Sequence, residues 1–218
     1  MTIASVQRLL PGSVPRSPAS AAVRLAWLHL VSRRAPAALI ALAVCAGVLW
    51  PALHWRWGAA GTGGQRQLPL LIEGAAAAVI AVTTHNPFGE AERATGRWLP
   101  WLRLGSALAL LAAATGLLDI AATGGHLPGG GWELVRDLAG VTGTGLISAS
   151  VLGGLLAWSG PVAYAVLAEF GLSGNWTSPW VWPARPPHDL GGALCACLVF
   201  TAGLVIIAAR GARDRADD

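Results

Sequence analysis

Lysine is absent from this chain: all 15 basic residues are arginine. A Walker A phosphate loop needs its lysine, so this chain is no standard P-loop ATPase. Schiff-base chemistry and Ser-Lys dyads are excluded for the same reason. If ATP drives anything here, another subunit hydrolyses it. Charge is scarce as well, at 12% of residues against roughly 25% in soluble domains. Cysteine is limited to Cys45, Cys195 and Cys197, all inside apolar runs. The last two would lie about 200° apart on a helix, which argues against shared metal ligation and for packing. The arginines sit beside the apolar runs instead of forming one patch, so the pI near 9.8 does not point to nucleic acid.

What is present is hydrophobic chain, 54% of residues with a mean hydropathy of +0.56. A membrane span takes roughly 17 to 25 apolar residues. Five or six such runs with short connections consume the length almost completely and leave no soluble catalytic domain. The expected fold is therefore an all-α integral membrane protein with six transmembrane helices. The first span is placed at about Ala37–Leu53, with Trp50, Trp55 and Trp57 in an interfacial belt. The second is placed at about Leu68–Thr84, the third at Trp101–Ala122 and the sixth at Leu190–Ala209. Residues 133–172 hold the fourth and fifth, with the break expected at Ser159, Gly160 and Pro161.

Residues 1–35 read as a basic N-terminus whose stretch near 18–34 forms an interfacial helix, with Ser17 as N-cap and Pro18 in the first turn. Residues 36–210 form the membrane domain and 211–218 a tail. Six spans put both ends on one side. On that side fall five arginines of the N-terminus, then Arg93, Arg97 and Arg103, then Arg210, Arg213 and Arg215. The other side has only Arg56, Arg66, Arg136 and Arg185. The positive-inside rule then places both termini in the cytoplasm.

Charges within spans are costly and are functional candidates by default. Glu73 and Asp119 lie deepest, and each should face a cavity or a cation such as Arg136. Together with Arg136 and Glu169 they are candidates for an acidic translocation path or a structural ion-pair network. Glu133 and Asp137 lie near enough to the interface for solvation to account for them. The fourth span carries Gly145, Ala149, Gly153 and Ala157 at i, i+4 spacing, a face that admits another helix closely. That neighbour could belong to the same chain or to a second subunit. Residues 172–189 hold Trp176, Trp180 and Trp182 among four prolines, and read as an interfacial anchor or a cap at the outer surface.

Two motifs fail on context. Gly171-Leu172-Ser173-Gly174 matches a rhomboid-type serine motif, with His188 as base, but no span separates the pair. His85 with Glu90 and Glu92 lacks the spacing of a zinc site, so no metal is expected.

The loop after the second span reads His85-Asn86-Pro87-Phe88-Gly89-Glu90-Ala91-Glu92-Arg93, with Gly96 and Arg97 beyond it. Pro87 and Gly89 punctuate it, and Glu90 and Glu92 suit the positive end of a short helix. With an interfacial N-terminal helix, six spans and an outer segment before the last, this layout resembles the membrane subunit of type V ABC exporters from GC-rich bacteria. The resemblance covers about Ser17 to Arg210 in layout, and only the 85–97 loop in motif. It implies a permease subunit of the bacterial plasma membrane, paired with a second permease chain and surrounded by lipid. It also implies a cytoplasmic coupling helix in which Phe88, Gly89, Glu90, Glu92 and Arg93 dock a separate ATPase. This chain itself would be no enzyme and would bind no cofactor; ATP would be used by the partner. Two other classes remain open: a proton-coupled secondary transporter using Glu73 and Asp119, and a structural or assembly subunit of a membrane complex.

Overall fold

The computed structural model describes residues 35–54, 64–84, 99–125 and 129–210. Among the described residues the chain is all-helical, with no strand. The helices are α1 (Ala35–His54), α2 (Gly64–Val82), α3 (Leu99–Ala122), α4 (Gly130–Leu152), α5 (Ser159–Ser173) and α6 (Leu190–Arg210). Four stretches are long and apolar enough to cross a bilayer: Ala35–His54, Arg103–Ala122, Gly154–Ser173 and Leu190–Arg210. Helix α2 is apolar over a shorter run, Gln67–Val82. Helix α4 falls outside the four and carries Glu133, Arg136 and Asp137. The expected all-α membrane architecture thus holds to the extent of four bilayer-length helices.

The layout follows from how each helix distributes its apolar side chains. On α1, Ala38, Leu42, Ala46 and Leu49 are buried while Ile40, Val44 and Val48 face outward. This is a peripheral helix, packed only on α2 and α3 among the main contacts. Helix α4 is the hub. It packs on α2, α3, α5 and α6, most extensively on α6. Small residues make those approaches close, because helices in lipid gain mainly from packing. A Cβ on Gly143 would stand 2.6 Å from the Phe200 Cα, and one on Gly203 would stand 2.7 Å from the Gly143 carbonyl oxygen. A Cβ on Gly145 would meet Ala81 at 2.6 Å and Pro161 at 2.9 Å, so Gly145 marks a contact within the chain, between α4 and both α2 and α5.

The break between the fourth and fifth helices lies earlier than the expected Ser159–Pro161. Helix α4 ends at Leu152, where Gly153 takes φ +89°, a conformation that favours glycine. A 3-10 turn, Gly154–Leu156, follows, and α5 starts at Ser159. Pro161 sits in the first turn of α5, where a missing N–H costs nothing. Gly160 lies against Ser148 of α4 instead of interrupting a helix. Ala149 lies buried on α4, but Gly153 ends that helix and the fully buried Ala157 lies beyond the 3-10 turn. The four small residues therefore do not share one helical face.

Candidate functional site

The first two turns of α4 put Glu133, Arg136 and Asp137 at i, i+3 and i+4, which share one side of a helix. Buried beside them is Glu73, midway along α2. These are the buried charged residues among those described, each exposed by 6% or less. Glu73 interacts electrostatically with Asp137, Glu133 and Arg136. Three carboxylates thus share this buried region with one guanidinium.

Arg136 organises the group. Its Nε donates to Asp137 Oδ1 at 2.7 Å, a charge-assisted bond out of contact with solvent. Its Nη1 donates to the carbonyl oxygens of Pro186 at 2.9 Å and Pro187 at 3.3 Å. Nη2 is buried and makes no hydrogen bond, and the same is true of Glu133 Oε2.

The carbonyls belong to residues 174–189, a strap joining α5 to α6. Pro183, Pro186 and Pro187 keep this stretch from extending as helix, so its backbone oxygens are open to side-chain donors. Trp182, 2% exposed, drops into the bundle. A Cβ on Gly140 would lie 2.5 Å from its ring, so only glycine leaves room for it. Tyr164 of α5 stacks on Trp182 with centroids 4.3 Å apart and donates its hydroxyl to the Trp180 carbonyl at 3.0 Å. Val181 seats against Gly171.

The far end of the strap is closed by charge. Arg185 donates from Nε and Nη2 to the Asp189 carboxylate at 3.0 and 2.7 Å, and from Nη1 to the Thr177 carbonyl. Asp189 Oδ2 also accepts the Gly192 N–H at 2.6 Å, capping the start of α6. The hydrogen bonds from Arg185 hold the Asp189 carboxyl below the usual carboxylate range, with the Gly192 bond adding to the effect.

The remaining sequence candidates fall elsewhere. Asp119 is exposed, and its Oδ1 lies 2.7 Å from where a Cβ on Gly131 would stand. It therefore rests over the first turn of α4, where the helix dipole favours an anion, and it is not among the charges acting on Glu73. Glu169 is half-buried near Gln67 of α2, with one carboxyl oxygen buried and unbonded. The loop residues Phe88, Gly89, Glu90, Glu92 and Arg93 lie outside the described residues, as does the N-terminal stretch read as interfacial.

The expectation that solvation accounts for Glu133 and Asp137 is corrected: both are buried. The covering strap lies about fifty positions downstream, as the Arg136–Pro186 separation of 50 records. No local pattern announces such a cover. Their i, i+3, i+4 relation to Arg136 was the available signal. Among the described residues no group of three or more His, Cys, Asp or Glu is placed to hold a metal ion. The Ser173 hydroxyl donates back to the Phe170 carbonyl at 3.0 Å.

Compared with protein-family models, curated proteins and solved structures, the chain matches none.

Proposed function

We propose that this chain is a membrane transport subunit in which all six helices cross the bilayer, with both ends in the cytoplasm. The observation that carries this reading is the buried group Glu73–Glu133–Arg136–Asp137. Ionisable residues inside membrane helices are expensive, face the protein interior and mark transport pathways or their control. The same burial supports α4 as a span despite its charges, since they meet protein and not lipid. At 1.5 Å per residue, the 19 residues of α2 and 23 of α4 give lengths of about 28 and 34 Å, close to a hydrocarbon core of about 30 Å. The arginine asymmetry supports the orientation.

Within that reading we favour the permease subunit of an ATP-driven exporter in the bacterial plasma membrane. The chain has no lysine for a motor of its own, and its layout resembles the type V class. Glu90, Glu92 and Arg93 would pass ATPase closure to the spans as a rigid-body movement. The test is purification of the chain from its native membrane. An ATPase should copurify, and its association should be lost when Glu90, Glu92 and Arg93 are all replaced by Ala. An ATPase that stays bound and coupled in this variant removes the coupling role.

A proton-coupled transporter is the second reading, favoured by one observation: three buried carboxylates against a single guanidinium. Transport that follows an imposed proton gradient without ATP would select it.

A further inference from the structure

We infer that His54, at the end of α1, is a proton-binding site whose doubly protonated ring ties this peripheral helix to the turn leading into the hub helix α4. The ring meets two backbone carbonyls at once. Its Nδ1 lies 2.8 Å from the Trp50 oxygen, one turn back on α1, and its Nε2 lies 3.2 Å from the Thr123 oxygen, 69 positions downstream. A carbonyl oxygen only accepts. A neutral imidazole has one N–H, and its other nitrogen is an acceptor; the imidazolium donates from both. Both contacts are therefore hydrogen bonds only while the ring carries two protons.

The surroundings suit a cation. His54 closes the last turn of α1, where the helix carbonyls attract positive charge. The Trp50 ring stacks on the imidazole, with centroids 4.8 Å apart and planes 19° from parallel, so the charge lies over an aromatic face. The turn is fitted to the ring. Gly124 takes φ +78°, which favours glycine, and a Cβ there would lie 3.6 Å from Nε2. A Cβ on Gly125 would lie 2.9 Å from the Leu53 Cβ and 3.5 Å from the His54 Cε1. The imidazole is half-buried, within reach of solvent protons.

Helix α1 packs on α2 and α3, and their charged groups are accounted for. Asp119 of α3 rests over the start of α4, and Arg103 stands toward the other end of that helix. Glu73 of α2 belongs to the buried group around Arg136, and Arg66 stands in the first turn of α2. Arg56 and His126 lie outside the described residues. When the ring loses one proton, a nitrogen lone pair faces a carbonyl oxygen and one bond goes, with no second conformation required. The tie is thus complete on the acid side and weakens as pH rises. With both chain ends in the cytoplasm, this end of α1 meets the outer solution, and the site reads acidity there. The tie itself depends neither on that sidedness nor on the energy source.

The experiment is amide hydrogen exchange on the full chain in nanodiscs, from about pH 5 to about pH 8, where histidine can change charge. The amides read are those of Thr123 and Gly125, bonded to the Ile120 and Ala122 carbonyls. Each rate is divided by its intrinsic rate at that pH. His54→Phe keeps a ring for the Trp50 stack and removes both nitrogens. Protection in the parent relative to this variant should be several-fold at the acid end and should fall as pH rises. A ratio that stays level across the range, whether at one or above it, overturns the proton site. His54→Arg keeps its donors at every pH and should show level protection. A His54→Arg protein that loses protection with pH as the parent does also overturns the site, even where His54→Phe fails to fold, because another group would then be titrating.

Discussion

Helices α1 and α4 have similar lengths, 20 and 23 residues, yet they are built on opposite plans. Helix α1 has no charged residue, buries one face against α2 and α3, and turns Ile40, Val44 and Val48 outward. It is tied at its end by His54, which stacks on Trp50 and reaches the Thr123 carbonyl at 3.2 Å. Helix α4 buries three charges and touches four other helices. The difference separates a helix whose task is to meet the surrounding medium from one that organises the interior. Substitutions should therefore be tolerated on α1 and felt through the whole bundle on α4.

The largest contrast should come from charge. Arg136→Ala takes the guanidinium from the buried Asp137 carboxylate, a type of loss that costs about 3–5 kcal/mol. Val44→Ala, on the outward face of α1, should stay within about 0.5 kcal/mol of the parent. Reversible unfolding in mild detergent measures both. Equal effects would erase the distinction between hub and periphery.

Next comes a single substitution made in both helices. Gly143→Ala on α4 drives a methyl into the backbone of α6, where the Phe200 Cα would be 2.6 Å away. It should cost about 1–3 kcal/mol. Gly47→Ala on α1 meets nothing within 4 Å and should stabilise by about 0.5–1 kcal/mol through helix propensity. Opposite signs are the expected result in the same unfolding assay.

How much of this was legible in the sequence divides along the same line. Helices α1, α3 and α6 announce themselves by continuous hydropathy, and their observed ends fall within two residues of the expected ones. The end of α4 was displaced because Gly160-Pro161 is the louder local signal, although proline is at home in a first turn. Gly153 bends the chain instead, and one glycine among many carries no mark of a positive φ. In the sequence Glu73 and Asp119 stand out as the deepest charges, with Arg136 as a possible counter-charge. Asp119 rests on the start of α4 and is not among the charges acting on Glu73, a placement that hydropathy alone does not reveal. Trp182 read as part of an interfacial anchor, and its seat in the bundle depends on Gly140, far away in sequence. Contacts made at long sequence separation leave no periodic trace.

A smaller effect is expected at the strap. Tyr164→Phe removes the hydroxyl bonded to the Trp180 carbonyl while keeping the stack on Trp182. The loss should be about 1 kcal/mol, seen as lower stability with little change in expression. An unchanged midpoint would show that the stack alone holds the strap to α5.

The smallest effect is one of pH. Asp189 has its carboxyl held below the ordinary range by Arg185. Its contribution is therefore present above the unfolded carboxylate value and is lost as pH falls through the lowered folded value. Proteolysis within the strap by pepsin, which works in acid, is the readout. Cleavage should rise toward acid in the parent, relative to a control site, and Asp189→Asn should already be open at the mild end of that range. A parent and variant with identical acid profiles would separate Asp189 from strap closure.

The claim on which the account rests most heavily is that α2 and α4 cross the membrane, their charges turned inward. Single cysteines at Thr84, after α2, and at Thr123, after α3, decide it in a chain otherwise free of cysteine. In sealed, right-side-out vesicles treated with an impermeant maleimide, six spans leave T84C protected and T123C labelled. If only the four most apolar helices cross, the pattern inverts, with T84C labelled and T123C protected, and the six-span account is contradicted.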